Sequence, residues 1–203
     1  MLYSVAGVAK QYDQTYFDKW YRGRTRVHAA GELQRKVALA VASAEYFLRR
    51  QVRTVLDVGC GEGAWQPELR ALRPRLSYLG LDPSDYAVAR FGRERNIRRA
   101  AFAELESLHL TRKFDLVVCS DVLHYVPDAE IRRGVTELVR LTTGIAYLEI
   151  LTAEDDIVGD LEGLIRRPAA WYRRLFHGAG LRAAGPYLWL APSLQSTAAH
   201  LEI

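Results

Sequence analysis

The chain begins with an aromatic and polar stretch, residues 10–22 (KQYDQTYFDKWYR), whose spacing predicts a short helix. From Gly31 to Arg50, Leu33, Val37, Val41, Ala44 and Leu48 recur at steps of three and four, the period of an amphipathic helix. The rhythm then changes. Thr54–Val58 is a short β-branched run that predicts a strand, and a glycine turn and a helix ending at Leu72 follow it. Pro67 falls in the first turn of that helix, where a missing N–H costs little, and Pro74 stops it. Ser77–Leu81 predicts a second strand, Ser84–Glu94 a helix, and Arg98–Phe102 a weaker third strand. Phe114–Cys119 (FDLVVC), apolar apart from Asp115, predicts a strong fourth strand. Asp128 is expected to cap a helix whose inner face is Ile131, Val135, Leu138 and Val139. Gly144–Leu151 predicts a fifth strand, and a helix after Pro168 stops at Gly178-Ala179-Gly180. Leu181–Leu190 and Ser196–Ile203 are expected to close the chain as an antiparallel hairpin.

Apolar strands alternating with helices imply an α/β fold, doubly wound, with helices on both faces of a mostly parallel, seven-stranded sheet. Right-handed crossovers gather the strand C-terminal ends on one edge, where such sheets bind ligands. The 203 residues suit a single domain, 1–203, with residues 1–50 as a helical lid or cap and 51–203 as the core. Hydrophobic residues make up 49%, enough for a substantial interior. No apolar run approaches the roughly 20 residues of a membrane span. The first residues, MLYSVAGVAKQYDQ, lack the basic start and sustained apolar stretch of a secretory signal, so a cytoplasmic protein is expected. Cys60 and Cys119 are too few for a disulfide framework and read as free thiols.

The net charge of +4 and the pI of about 9.1 are mild. Basic residues are dispersed, with only small clusters such as Arg22–Arg26, so no stripe for nucleic acid is present. Four of the 28 basic residues are lysines, which reflects genome composition or thermal adaptation rather than function. The histidines at 28, 109, 124, 177 and 200 are scattered and the cysteines are far apart, so no metal centre is expected.

The sharpest motif is VLDVGCGEG, residues 55–63, a buried strand running into a glycine turn that opens a helix. Glycines there allow close backbone approach and are expected to offer free N–H groups to a ligand. The spacing Gly59-x-Gly61-x-x-Ala64 also satisfies the dinucleotide fingerprint, with Asp82 near the offset of its ribose-binding acid. Asp57 weighs against that reading. Two residues before the first glycine, it would set a carboxylate beside a pyrophosphate, whereas a ligand carrying an ammonium and a sulfonium would be attracted.

Four ordered segments resemble the class I S-adenosylmethionine-dependent methyltransferases: VLDVGCGEG (55–63), YLGLDPS (78–84), AELESL (103–108) and FDLVVCSDVLHYVPD (114–128). The resemblance implies a Rossmann-like fold and S-adenosylmethionine as cofactor. It places Asp57, Gly59, Cys60 and Gly61 in the first motif, Asp82 on the two ribose hydroxyls and Pro83 against the adenine. Glu104 would meet the adenine amino group with Leu105 nearby, although Glu and Ala103 replace the family's Asp and Gly at this segment. Ser120 and Asp121 would lie near the methionine end. The aromatic stretch 12–21 resembles the lid of these enzymes, with Tyr12 and Tyr16 as candidates to face the sulfonium.

Methyl transfer from a sulfonium relies on positioning and water exclusion, with a general base where the acceptor is a hydroxyl or an ammonium. The candidates are His124, with Tyr125 beside it, and Glu149, an acid interrupting an apolar strand and in need of a partner or a function. His28 and the nearby arginines are a further candidate anion site. The fourth motif lacks the (Asp/Asn)-Pro-Pro-(Tyr/Phe) tetrapeptide of nucleobase amino methylation. Glu154, Asp155, Asp156, Asp160 and Glu162 make an acidic rim that would repel phosphate backbones. The expectation is therefore O- or N-methylation of a small molecule, with no nucleic-acid or membrane partner, by a monomer or homodimer. A nicotinamide-dependent oxidoreductase and a non-catalytic cofactor-binding module are the alternatives.

Overall fold

The computed structural model describes Lys10 and residues 12–22, 31–157 and 159–199. Seven strands form one sheet: β1 (Thr54–Val58), β2 (Ser77–Asp82), β3 (Ile97–Arg99), β4 (Phe114–Ser120), β5 (Thr142–Glu149), β6 (Arg182–Gly185) and β7 (Leu188–Leu190). Their order is β3-β2-β1-β4-β5-β7-β6, with β1 to β5 parallel and β7 antiparallel to both β5 and β6. The chain winds outward from β1 to β3, then returns to β4 on the other side of β1. The switch point therefore lies between the C-terminal ends of β1 and β4.

Two-residue alternation divides the interior into two clusters. Leu56, Val58, Val117, Cys119, Ala146 and Leu148 face one side, where they meet Ile131, Val135 and Leu138 of α5 (Asp128–Leu141) and Tyr172 and Phe176 of α6 (Ala169–Gly178). Val55, Leu116, Val118, Ile145 and Tyr147 face the other, against Val37, Val41 and Ala44 of α2 (Glu32–Leu48) and Trp65 and Leu69 of α3 (Trp65–Leu72). Strands apolar on both faces are what a helix-covered parallel sheet requires. α4 (Asp85–Arg95) packs on β2 and β3, and Ser84 caps it through a 3.0 Å bond from the Ala87 N–H. Because α2 lies on β4 and β5, a boundary at residue 50 does not separate lid from core.

α1 (Gln14–Phe17) continues as a wide turn, Asp18–Arg22, and residues 12–22 form an aromatic strap over the switch point. Three expectations are corrected. Pro127, not Asp128, occupies the cap position of α5, and the Asp128 carboxylate is paired instead with Arg167. The third strand stops at Arg99, because residues 102–104 close a tight helical turn. The hairpin lies within residues 182–190. Pro192, with no N–H to give a strand ladder, opens a tight helix to Thr197 instead; residues 200–203 lie outside the described residues.

Candidate active site

The crevice at the switch point contains two adjoining cavities of ≈ 300 and ≈ 210 Å³ that share Gly59, Gly61, Ser120 and Asp121. Gly59 has φ +73°, and a Cβ there would sit 2.2 Å from Cγ2 of Val122. Only glycine lets the loop after β1 turn this tightly against the loop after β4. Opposite it, Asp121 holds the left-handed conformation at φ +59° without being glycine.

The loop hydrogen bonds differ from expectation. The N–H groups of Gly59 and Cys60 both donate to Leu81 O, at 2.7 and 3.1 Å, and the Gly61 N–H donates to Asp82 Oδ2 at 2.7 Å. They are taken by β2 rather than offered to a ligand. A pyrophosphate depends on such N–H groups, so this bonding joins the Asp57 charge in disfavouring a dinucleotide.

Asp57 is buried and accepts a 2.7 Å bond from the Tyr78 hydroxyl. Burial, with the Asp82 charge adding to it and the Tyr78 bond opposing, lifts its carboxyl to about 7. It lines the larger cavity with Cys60, whose thiol burial pushes well up and so makes a poor nucleophile. Asp82, buried at the end of β2, accepts from the Gly61 N–H and, at 2.9 Å, from the Ser84 N–H. Burial raises its pKa against these two bonds. Asp82 and Pro83 line the smaller cavity, roofed by Tyr12 and Tyr16 and walled by Ala101, Phe102 and Ala103.

Glu104 does not reach this wall. It is exposed, and its carboxylate folds back onto the Ala101 N–H at 2.7 Å to cap the turn it belongs to. Leu105 is fully buried in the core and lines neither cavity.

His124 is also turned away. Its ring is buried, its Nδ1 accepts the Leu151 N–H at 3.2 Å, and it lines neither cavity. Burial, then the charges of Lys10 and Arg167, lower its pKa to about 4, so the ring is neutral at pH 7 and carries its hydrogen on Nε2. The ring nitrogen that accepts is thus engaged by the Leu151 N–H within the chain. Tyr125 does line the smaller cavity, with its hydroxyl donating to Asp160 O at 2.7 Å. Glu149 has the partners its burial demands: Oε1 meets Lys36 Nζ at 2.7 Å and Oε2 accepts from Ser120 Oγ at 2.6 Å. Lys36 also pairs with Glu32 at 2.8 Å. Burial pulls the Lys36 ammonium down, but the bonds to Glu149 and Glu32 outweigh it and leave it raised. His28 lies outside the described residues.

Sequence reasoning missed Phe17, Tyr21, Lys36 and Trp65, all of which line the larger cavity. The signal for Lys36 was indirect: an acid inside β5 needs a cation, and α2 offers its single lysine to that face.

The sheet order, with the crevice at its switch point, defines a Rossmann-like domain. Residues 56–143 match the methyltransferase domain family. Over that segment, less than half of the 203 residues, the chain is similar to a methyltransferase domain. In fold it is similar to a sugar N-methyltransferase from a Streptoalloteichus species, with a TM-score of 0.67, 19% identity, and 94% of this chain and 97% of that one covered. It is likewise similar to magnesium protoporphyrin IX methyltransferase from Synechocystis with bound SAH, with a TM-score of 0.60, 20% identity, and 86% and 89% covered. A malonyl-[acyl-carrier protein] O-methyltransferase from Legionella pneumophila is 26% identical over 98 residues, 46% of this chain. The chain spans about a third of that relative, 34% of its length. Among the described residues no helix is long and apolar enough to cross a membrane.

Proposed function

We propose that this domain transfers the methyl group of S-adenosylmethionine to an oxygen or nitrogen of a small molecule. The observation that carries this reading is the division of the crevice. The smaller cavity has the Asp82 carboxylate, Pro83 and aromatic rings suited to an adenosine, and the larger has Asp57, Lys36, Phe17 and Trp65. Both meet at Gly59 and Ser120–Asp121, so a donor whose adenosine fills the smaller cavity extends its methionine end toward Asp57 in the larger, beside the space left for an acceptor. The cofactor supplies a methyl group already activated as a sulfonium. The chain's part is to hold both ligands in line and exclude water.

Within this reading Asp82 binds the ribose, Asp57 attracts the cationic methionine end, and the strap aromatics cover the sulfonium. Glu149 acts through its neighbours, orienting Ser120 on one wall and Lys36 on the other. His124 acts by position, tying the turn after β4 to Leu151 at the end of β5. The sugar N-methyltransferase and the O-methyltransferase among its likenesses favour small acceptors of either atom. The acidic rim is largely engaged within the chain: Glu154 accepts the Ala169 N–H, Asp155 accepts from Thr152 and Asp160 pairs with Lys10.

The test is transfer of label from methyl-labelled S-adenosylmethionine to a metabolite extract, with the product identified by mass. Label in a small O- or N-methyl product is expected. Cofactor binding without transfer to any fraction would favour a non-catalytic module, and binding of NAD(H) alone would overturn the reading.

A pH dependence follows from Asp57. Its carboxyl titrates near 7, and a cationic ligand prefers the ionised form. Cofactor affinity is therefore expected to rise between pH 6 and pH 8, by up to roughly tenfold for one such proton, and to level off above. The folded-state pKa is raised, so the same group erodes the stability of the cofactor-free protein as pH climbs from the ordinary carboxylate range to about 7. Calorimetric titration with S-adenosylhomocysteine at both pH values measures the effect. Asp57→Asn should flatten it, and an unchanged slope in that variant would remove Asp57 from the charge recognition.

A further inference from the structure

The Lys10 ammonium sits in a box at the rim of the smaller cavity. Its Nζ lies 4.3 Å from the Tyr125 ring centroid, 5.5 Å from Tyr16 and 5.6 Å from Tyr12. It pairs with the Asp160 carboxylate and donates to Glu162 O at 3.0 Å. The Lys10 and Asp160 side chains are only 16% and 12% exposed, so this ion pair is largely sheltered from water and salt. One charge thereby joins three segments distant in sequence: the strap through Tyr12 and Tyr16, the turn after β4 through Tyr125, and the loop after β5 through Asp160. All three tyrosines line the cofactor half of the crevice.

Among the strap's other ties, two are polar links to the crevice walls. Ser84 Oγ donates to Tyr12 O, and Arg22 pairs with Glu62 in the glycine loop. The first fixes the strap to the end of β2 and the second to the loop after β1. The Lys10 box fixes it to the far side, across the cavity mouth. Losing that box should loosen the cover without touching either core cluster.

We propose that Lys10 is a positioning residue, a latch whose ammonium holds the aromatic strap across the cofactor cavity and so sets how fast the cofactor and its demethylated product leave. This rests on the smaller cavity being the cofactor's. Opening the strap carries Lys10 away with Tyr12 and Tyr16 and so parts its ammonium from the Asp160 carboxylate and the Tyr125 ring. Cation–π contacts of this kind contribute about 0.5–2 kcal/mol. The Tyr125 hydroxyl bond to Asp160 O is independent of charge and survives neutralisation of either partner.

The test is the dissociation rate of S-adenosylhomocysteine, followed by stopped flow on the full chain. Lys10→Met and Asp160→Asn should each speed release by about two- to thirtyfold, the range that 0.5–2 kcal/mol converts to. Their effects should be non-additive in the double variant, and Lys10→Arg should restore most of the slow rate. Rates within error of the wild type in both single variants, with unaltered melting curves, would overturn the latch, and so would strictly additive effects. A wild type that fails to bind S-adenosylhomocysteine at all would instead overturn the cofactor reading beneath it.

Discussion

Replacing Asp82 with alanine should weaken cofactor binding by about a hundredfold or more. The residue ends β2 at the switch point, and its buried carboxylate is aimed by two backbone donors, Gly61 N–H at 2.7 Å and Ser84 N–H at 2.9 Å. Each oxygen keeps lone-pair capacity for a ribose hydroxyl. Hydrogen bonds to a charged acceptor contribute about 1.5–3 kcal/mol each, so losing two removes roughly 3–6 kcal/mol, about two to four powers of ten in affinity. The truncation also leaves the Gly61 N–H without its partner, which loosens the glycine loop beside the cofactor. Calorimetric titration with S-adenosylhomocysteine reads the effect, with circular dichroism to check the fold. Asp82→Asn keeps the shape and should fall between alanine and wild type. A dissociation constant within threefold of wild type in both variants would remove the ribose role.

The central strands were legible in the sequence because nothing competes with them. Apart from Asp57 and Asp115, Thr54–Val58 and Phe114–Cys119 are largely apolar on both faces, as a helix-covered parallel sheet requires. Asp57 was legible for the opposite reason: a charge at the end of such a strand has no structural excuse. What the sequence hid depends on partners far along the chain or on local bonds that outbid the motif. Glu104 has the residue type for an adenine contact, yet a three-residue turn brings its own Ala101 N–H within 2.7 Å, and that nearby donor wins. His124 follows the fourth motif at the expected place, but Leu151, from the end of β5, supplies the N–H that turns its ring inward. The glycine loop looked rich in free donors until Leu81 O and Asp82, carried in by β2, took them. Lys10, Lys36 and Arg167 carry no local signal. Each acquires its role from a carboxylate, ring or carbonyl on another element.

Arg167→Ala is expected to be the costliest of these changes for stability. Its side chain is almost fully buried, and its guanidinium meets Asp128 Oδ1 through Nε at 2.8 Å and Nη2 at 2.7 Å. Nη2 also donates to Val126 O at 2.6 Å, and Nη1 to Leu123 O at 3.3 Å and to the Tyr172 hydroxyl at 3.1 Å. The same group lies 4.9 Å from the Trp171 ring centroid and 5.8 Å from that of Tyr172. Those two carbonyls flank the turn after β4, so this one planar fork staples the turn carrying His124 and Tyr125 to the start of α6. Alanine would leave both carbonyls without that donor inside the protein and open a void against the rings. Each buried group left unsatisfied costs about 1–3 kcal/mol, so a loss of roughly 3–5 kcal/mol is expected. For a domain of this size that lowers the melting temperature by about 10 °C, read by differential scanning calorimetry. Lysine keeps the charge but not the fork, and should recover only the Asp128 pair, hence less than half of the loss. Cofactor affinity should fall by a smaller factor than for Asp82→Ala, because the turn supplies Tyr125 and Val126 to the cavity wall but no charge to the ligand. A melting temperature within 2 °C of wild type would mean that solvent or a neighbouring donor satisfies both carbonyls without the arginine, and would leave the turn held by its own backbone alone.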